Sequence, residues 1–251
     1  MLILLSPAKT LDMSDVEVPA TTPRFLEETN ALAEILRRKS AGDLMELMHI
    51  SENLATLNYD RFQQFSTTAS GKPALLAFKG DVYQDLQAAD FSARELDFAD
   101  RQIRILSGLY GLLRPRDLMQ PYRLEMGTGL TTDRGENLYD FWGTKITDLL
   151  NEDLRADGTG LVLNLASKEY TKSLQTDRLE GRVLDIEFKE RRDGKLRFIT
   201  YNGKRARGMM ARLITLEGIR EAAPLKDLVV NDYAYSPEHS TEKSWMYIKE
   251  A

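Results

Sequence analysis

The chain has 251 residues, 42% hydrophobic and 29% charged, with a net charge of −5 from 34 basic and 39 acidic side chains. That length and composition suit one folded domain over residues 1–251 and exclude a disordered or collagen-like chain. Zero cysteines rule out disulfides, thiolate-held clusters and thiol nucleophiles, and with two histidines, His49 and His239, they argue against a metal cage or a Ser-His-Asp triad. No resident metal or cofactor is expected, and any chemistry falls to Lys, Asp, Glu, Arg, Tyr or Ser.

Leu2 to Leu5 reads as a buried strand that breaks at Ser6-Pro7. The apolar opening is too short for a signal peptide or a bilayer span, so the expected location is the cytoplasm, with no membrane partner. Thr21 to Lys39 carries apolar residues at helical spacing with a start near Pro23, and two further helices are expected over 43–49 and 52–65. Ala74 to Phe78 is a strand candidate ending in Lys79-Gly80-Asp81. Ser92-Ala93-Arg94-Glu95 is a capping box whose helix is expected to run toward Leu106. Asn137 to Asp157 has the clearest amphipathic stripe, closed by Gly158. Leu161 to Leu165 reads as another buried strand, with a helix start at Ser167-Lys168-Glu169-Tyr170. Arg182 to Lys189 and Leu196 to Tyr201 read as an antiparallel pair turning at Asp193-Gly194, Lys204 to Leu216 as a helix, and Trp245 to Lys249 as a last strand. The mixture predicts a mixed α/β, or α+β, fold: a central sheet flanked by helices rather than a regular doubly wound sheet.

Charge is distributed unevenly along this chain. Nine basic residues face two acidic ones between Lys189 and Arg212, and five arginines face two acids between Arg101 and Gly127, which leaves −15 on the rest. An acidic body with two basic stretches suits a directed anion-binding surface; the plainer alternative is a pair of solvated faces.

Three segments could carry chemistry. The ends of the first, second and later buried strand candidates bring Ser6, Lys9, Lys79, Asp81, Lys168, Glu169 and Tyr170 to one crevice if those strands are parallel neighbours, and lysines beside helix starts favour a small anionic ligand. Ordinary strand-to-helix turns with solvated lysines are the alternative. Lys204, Arg205 and Arg207 crowd an expected helix start, where unpaired cations oppose the macrodipole at a cost of a few tenths to about 1 kcal/mol each. That placement makes sense with an anion bound, Arg212 sharing the face of Arg205 and Gly208 leaving room between them; neutralisation by local acids is the alternative. Finally, Leu106 to Arg116 reads as a helix entering a two-glycine turn, similar to a helix-hairpin-helix element that holds a DNA phosphate without reading bases. Ser107, Gly108, Gly111, Arg114 and Arg116 would make those contacts. The Gly-x-x-Gly spacing departs from the tighter Gly-x-Gly of that motif, and a simple helix stop is the alternative.

Six pieces together resemble the YaaA peroxide-stress family: Leu4 to Leu11, Phe78 to Tyr83, Leu106 to Gly127 (LSGLYGLLRPRDLMQPYRLEMG), Tyr139 to Gly143, Asn164 to Tyr170 and Lys204 to Met210. The resemblance implies a cytosolic protein of hydrogen-peroxide defence that limits free intracellular iron. It also implies a single-domain α/β fold and a basic cleft binding double-stranded or distorted DNA through a helix-hairpin-helix-like element. A second reading is an enzyme on a phosphorylated or nucleotide-like substrate, with Lys9 or Lys168 as nucleophile and Asp81 or Glu125 as acid/base.

Overall fold

Met1 to Leu5 is wholly buried, as a continuous apolar run must be when it lies at the centre of a parallel sheet covered on both faces. The computed structural model describes residues 1–67 and 71–250. Its elements run β1 (Leu2–Leu5), α1 (Leu26–Arg37), α2 (Ala41–Met48), α3 (Glu52–Gln64), β2 (Lys72–Pro73), α4 (Ala74–Ala77), α5 (Asp81–Leu86), α6 (Ala93–Gln102), β3 (Ile103–Ser107), β4 (Gly111–Leu113), β5 (Leu118–Met119), α7 (Leu138–Trp142), α8 (Lys145–Asp157), β6 (Leu161–Asn164), α9 (Lys168–Thr171), β7 (Arg182–Arg192), β8 (Lys195–Arg197), α10 (Thr200–Glu217), β9 (Ala234–Ser236) and β10 (Ser244–Glu250). The fold is mixed α/β.

The main sheet has the order β4-β3-β1-β6-β7-β10-β9, with β8 paired to β7. Its inner pairs are parallel: β1 with β3 and with β6, β6 with β7, and β7 with β10. Antiparallel strands close the edges, β4 on β3 and β9 on β10. The chain leaves β1 for β3 on one side and reaches β6 on the other, so β1 is where the strand order reverses. Loops leaving the carboxyl ends at such a point diverge and open a crevice. One hydrophobic cluster joins the sheet to its helices from Met1 to Tyr247.

Four expectations need correction. Ala74 to Ala77 forms the short helix α4, not a strand; four apolar residues have no decisive period, and Ala and Leu lack the β-branching that favours strands. The capping box at Ser92 is present, but its helix stops at Gln102 because Ile103 to Ser107 is drawn into the sheet beside β1. The 137–157 stripe is two helices, broken at Gly143, whose φ of 50° lies in the left-handed region. Helix α10 starts at Thr200, so Lys204 sits in its second turn. The macrodipole argument for Lys204 and Arg205 is correspondingly weaker, because that field fades within the first turn.

The helix-hairpin-helix-like element is also corrected. Leu106 to Leu113 is a β-hairpin, with Ile105 opposite Leu113, Leu106 opposite Leu112 and Ser107 opposite Gly111. Gly111 takes φ 68° in the turn, and Gly108 lies so near the Leu124 carbonyl that an added Cβ would stand 2.3 Å from it. Both glycines serve turn geometry and close backbone packing inside the core.

Candidate functional site

The crevice forms where β1 and β6 end. Ser6 Oγ accepts the Ser167 N–H at 2.8 Å, joining the two strand ends, and Tyr83 on α5 donates its hydroxyl to the Ser6 carbonyl at 2.9 Å. The 79–81 segment joins this group without being a strand: the Lys79 N–H bonds the Thr10 carbonyl at 2.9 Å, which carries Gly80 and Asp81 alongside Ala8. Behind them, the chain from Tyr122 to Glu125 supplies one wall and α10 another. The result is a cleft with a cavity volume of about 300 Å³, lined by Ser6 to Thr10, Gly80 to Tyr83, Tyr122 to Glu125, Leu165, Ser167, Glu169, Tyr170, Lys204 and Arg207.

Most charges in the cleft are matched. Glu125 bridges two cations, accepting Lys9 Nζ at 2.7 Å on one oxygen and Arg123 Nη2 at 3.0 Å on the other. Glu169 accepts the Gly127 N–H at 3.0 Å. Asp81 lies 3.8 Å from Lys204 Nζ, an ion pair without a hydrogen bond. The Tyr170 hydroxyl, buried beside Tyr122 and the carboxylates, has its pKa pushed well above the usual phenol range, first by desolvation and then by those neighbours.

Arg207 is the exception. Among the described residues it has neither a carboxylate within salt-bridge distance nor a hydrogen-bond acceptor, and its Nε is buried without a partner. Burial lowers its pKa from the ordinary arginine range, with Glu187 opposing weakly from a distance. Its guanidinium rests 5.8 Å from the Phe198 ring centroid. A desolvated guanidinium with free donors is the feature an anionic ligand satisfies by two parallel hydrogen bonds.

Of the anion-pocket residues expected from the sequence, Ser6, Lys9, Asp81, Glu125 and Tyr170 line the cleft. Lys79 turns outward to Asp12, 3.4 Å away, and Lys168 is exposed at the start of α9, off the lining. Lys204 and Arg207, read as a separate site, belong to this one. Their helix mates do not: Arg205 pairs with Asp85 at 2.9 Å, and Arg212 reaches the Leu86 and Gln87 carbonyls at 3.1 and 3.0 Å. Those two arginines cap the carboxyl end of α5, where a cation is favourable. Gly208 between them lets α10 approach α5 itself, with an added Cβ only 1.8 Å from the Val82 carbonyl oxygen.

The hairpin residues lie apart. Ser107 is buried and bonded to the Tyr122 hydroxyl at 2.6 Å and the Tyr110 N–H at 2.9 Å. Arg114 is held by Asp117, and Arg116 by Asp97 through its guanidinium and by Asp100 through its backbone N–H. Arg123 was not singled out in advance. It lies in a stretch with no regular element, so no period marks it, and its signals are membership of the 101–127 basic segment and of the family-like piece Leu106 to Gly127.

The family model described as peroxide stress protein YaaA matches residues 1–239. A UPF0246 protein of Tolumonas auensis (strain DSM 9187 / NBRC 110442 / TA 4) is 49% identical over 255 residues, covering 98% of this chain and 97% of that protein.

Proposed function

From a chain that belongs to the peroxide stress protein YaaA family, we propose that its part in peroxide stress runs through the strand-end cleft, which binds a small phosphate-bearing, nucleotide-like ligand. The carrying observation is Arg207, a half-buried cation whose Nε is buried without a partner and which has no ion pair among the described residues, beside Lys204 and Lys9 in a cavity of about 300 Å³. That volume lies at the lower end of ordinary small-molecule sites. A phosphate would supply the acceptors that Arg207 lacks among the described residues.

The test is calorimetric titration of a nucleoside monophosphate and of ribose 5-phosphate into the full chain and into Arg207→Gln. Both ligands are expected to saturate the native protein, and the folded variant to bind at least about tenfold more weakly, or about 1.4 kcal/mol. Equal affinities would sink this reading.

DNA binding is the second reading, and a different surface favours it. Lys195 and Arg197 on β8 are exposed and have no ion pair among the described residues, and the half-exposed rings of Phe198 and Tyr201 continue the surface to the cleft rim. Cations that track a backbone, with rings for stacking, are what a nucleic-acid strand uses. Charge reversal at Lys195 and Arg197 should then reduce the salt slope of duplex binding by about two units, at roughly 0.9 per phosphate contact. An unchanged slope would remove DNA from this surface. Among the described residues no group of three or more Asp, Glu, His or Cys is gathered to hold a metal ion, so this reading puts an effect on free iron downstream of ligand or DNA binding.

A further inference from the structure

We infer that the cleft contains two anion subsites, so that its ligand carries two anionic groups in the manner of a diphosphate: one at Arg207, the other displacing Glu125 from Arg123 and Lys9. This rests on the reading of Arg207 given above and extends it. Two guanidinium groups line the cleft from separate parts of the chain, and each has a buried Nε with no acceptor among the described residues. A guanidinium offers five donors in a planar fork, and among the described residues Arg123 uses a single one, to Glu125 at 3.0 Å. A ligand with one anionic group at Arg207 would leave that second surplus in place.

Glu125 marks where the second group goes. Its two oxygens each meet a different cation, Arg123 and Lys9, which is the arrangement two oxygens of a phosphate would adopt. The carboxylate thus occupies the second subsite as an internal counter-ion. Lys9 is 60% exposed and Glu125 27%, so their attraction is screened by solvent and the carboxylate is readily exchanged for a more highly charged group. The other cleft carboxylates do not compete for Arg123, since Glu169 is bonded to the Gly127 N–H and Asp81 faces Lys204.

Orthophosphate and pyrophosphate titrated calorimetrically into the full chain at one ionic strength test this. Pyrophosphate is expected to bind about tenfold or more tightly than orthophosphate in the native protein. Glu125→Gln, close to isosteric, should tighten pyrophosphate several-fold while leaving orthophosphate within about twofold, because it frees the second subsite alone. Arg123→Gln should bring pyrophosphate down to the orthophosphate level, and Arg207→Gln should weaken both. Equal native affinities for the two ions, or Glu125→Gln shifting both equally or neither, would overturn the second subsite while Arg207-dependent orthophosphate binding kept the first. Binding of neither ion would remove both readings. Should Arg123→Gln fail to fold, the Glu125→Gln comparison still decides.

Discussion

At the scale of single residues, charge pairs divide by burial into those that hold the fold and those free to serve a ligand. Asp153 on α8 is the clearest structural case, taking both guanidinium nitrogens of Arg24 at 2.8 and 2.9 Å and Arg104 Nε at 2.6 Å. Burial alone would raise its pKa, but the hydrogen bonds from Arg104 and Arg24, aided by their charges, hold it below the ordinary aspartate range. A carboxyl depressed in the folded state contributes stability above its unfolded pKa, about 3.9, and loses it as pH falls through the folded value. Asp153→Asn leaves two largely buried arginines without their counter-ion and should cost about 3–5 kcal/mol in urea unfolding at neutral pH. The gap from the native protein should narrow below about pH 4, and a pH-independent gap would contradict the pairing. Asp81→Asn is the opposite case. Removing a carboxylate 3.8 Å from Lys204 should leave stability nearly unchanged and tighten phosphate binding, and weaker binding would show that Asp81 contacts the ligand directly.

At the scale of elements, the pairing of α10 with α5 assembles the cleft. Lys204 and Arg207 ride on one helix and Asp81 opens the other, while Arg205 and Arg212 clamp the carboxyl end of α5 from behind. The approach depends on Gly208. Gly208→Ala should lower stability by about 1–3 kcal/mol through overpacking against the Val82 carbonyl and weaken ligand binding with it. A shifted urea midpoint at constant m would confirm the first effect, and native affinity would refute the second. The β3–β4 hairpin predicts differently from a DNA-gripping turn. Gly108→Val must push a side chain into the Leu124 backbone, next to Arg123 and Glu125, so it should destabilise the whole protein instead of removing DNA binding alone. A fully stable variant would refute that packing.

At the scale of the molecule, the parallel arrangement around β1 decides where chemistry can occur. Because β3 and β6 flank β1 in parallel, their ends open on one side of the sheet, and the segments after β1 and β6 supply Ser6 to Thr10, Leu165, Ser167, Glu169 and Tyr170 of the cleft lining. The basic strand β8 connects to the cleft through Phe198, whose ring centroid lies 5.8 Å from the Arg207 guanidinium. A polymer bound on that surface and a small ligand bound in the cleft should therefore compete. Pyrophosphate that fails to displace a duplex from the native protein would place the two on separate surfaces.

The sequence by itself determined the strands whose apolar runs have no other home, β1 and β6, the capped helix at Ser92, and the Asp193-Gly194 turn, where φ values of 51° and 72° suit Asp and Gly. These are local matters of hydrophobic burial, capping and turn chemistry, written within a few residues. It also brought Ser6, Lys9 and Tyr170 to one place, because the ends of parallel neighbours β1 and β6 converge, whereas Asp81 arrives beside them from a helical segment through the Lys79 N–H bond to the Thr10 carbonyl. Tertiary structure alone decided which cations were spare. Lys79 found Asp12, Arg205 found Asp85 and Arg116 found Asp97, whereas Arg207 found no carboxylate within ion-pair distance among the described residues. Those matches depend on partners up to 120 residues away and on how closely α10 can approach α5, and no spacing along the chain encodes either. The same holds for the glycines at 108 and 111: a strand pulled into the sheet beside β1 turns a helix-like pattern into a hairpin, because burying Ile103 to Ser107 there outweighs the local preference to continue the helix.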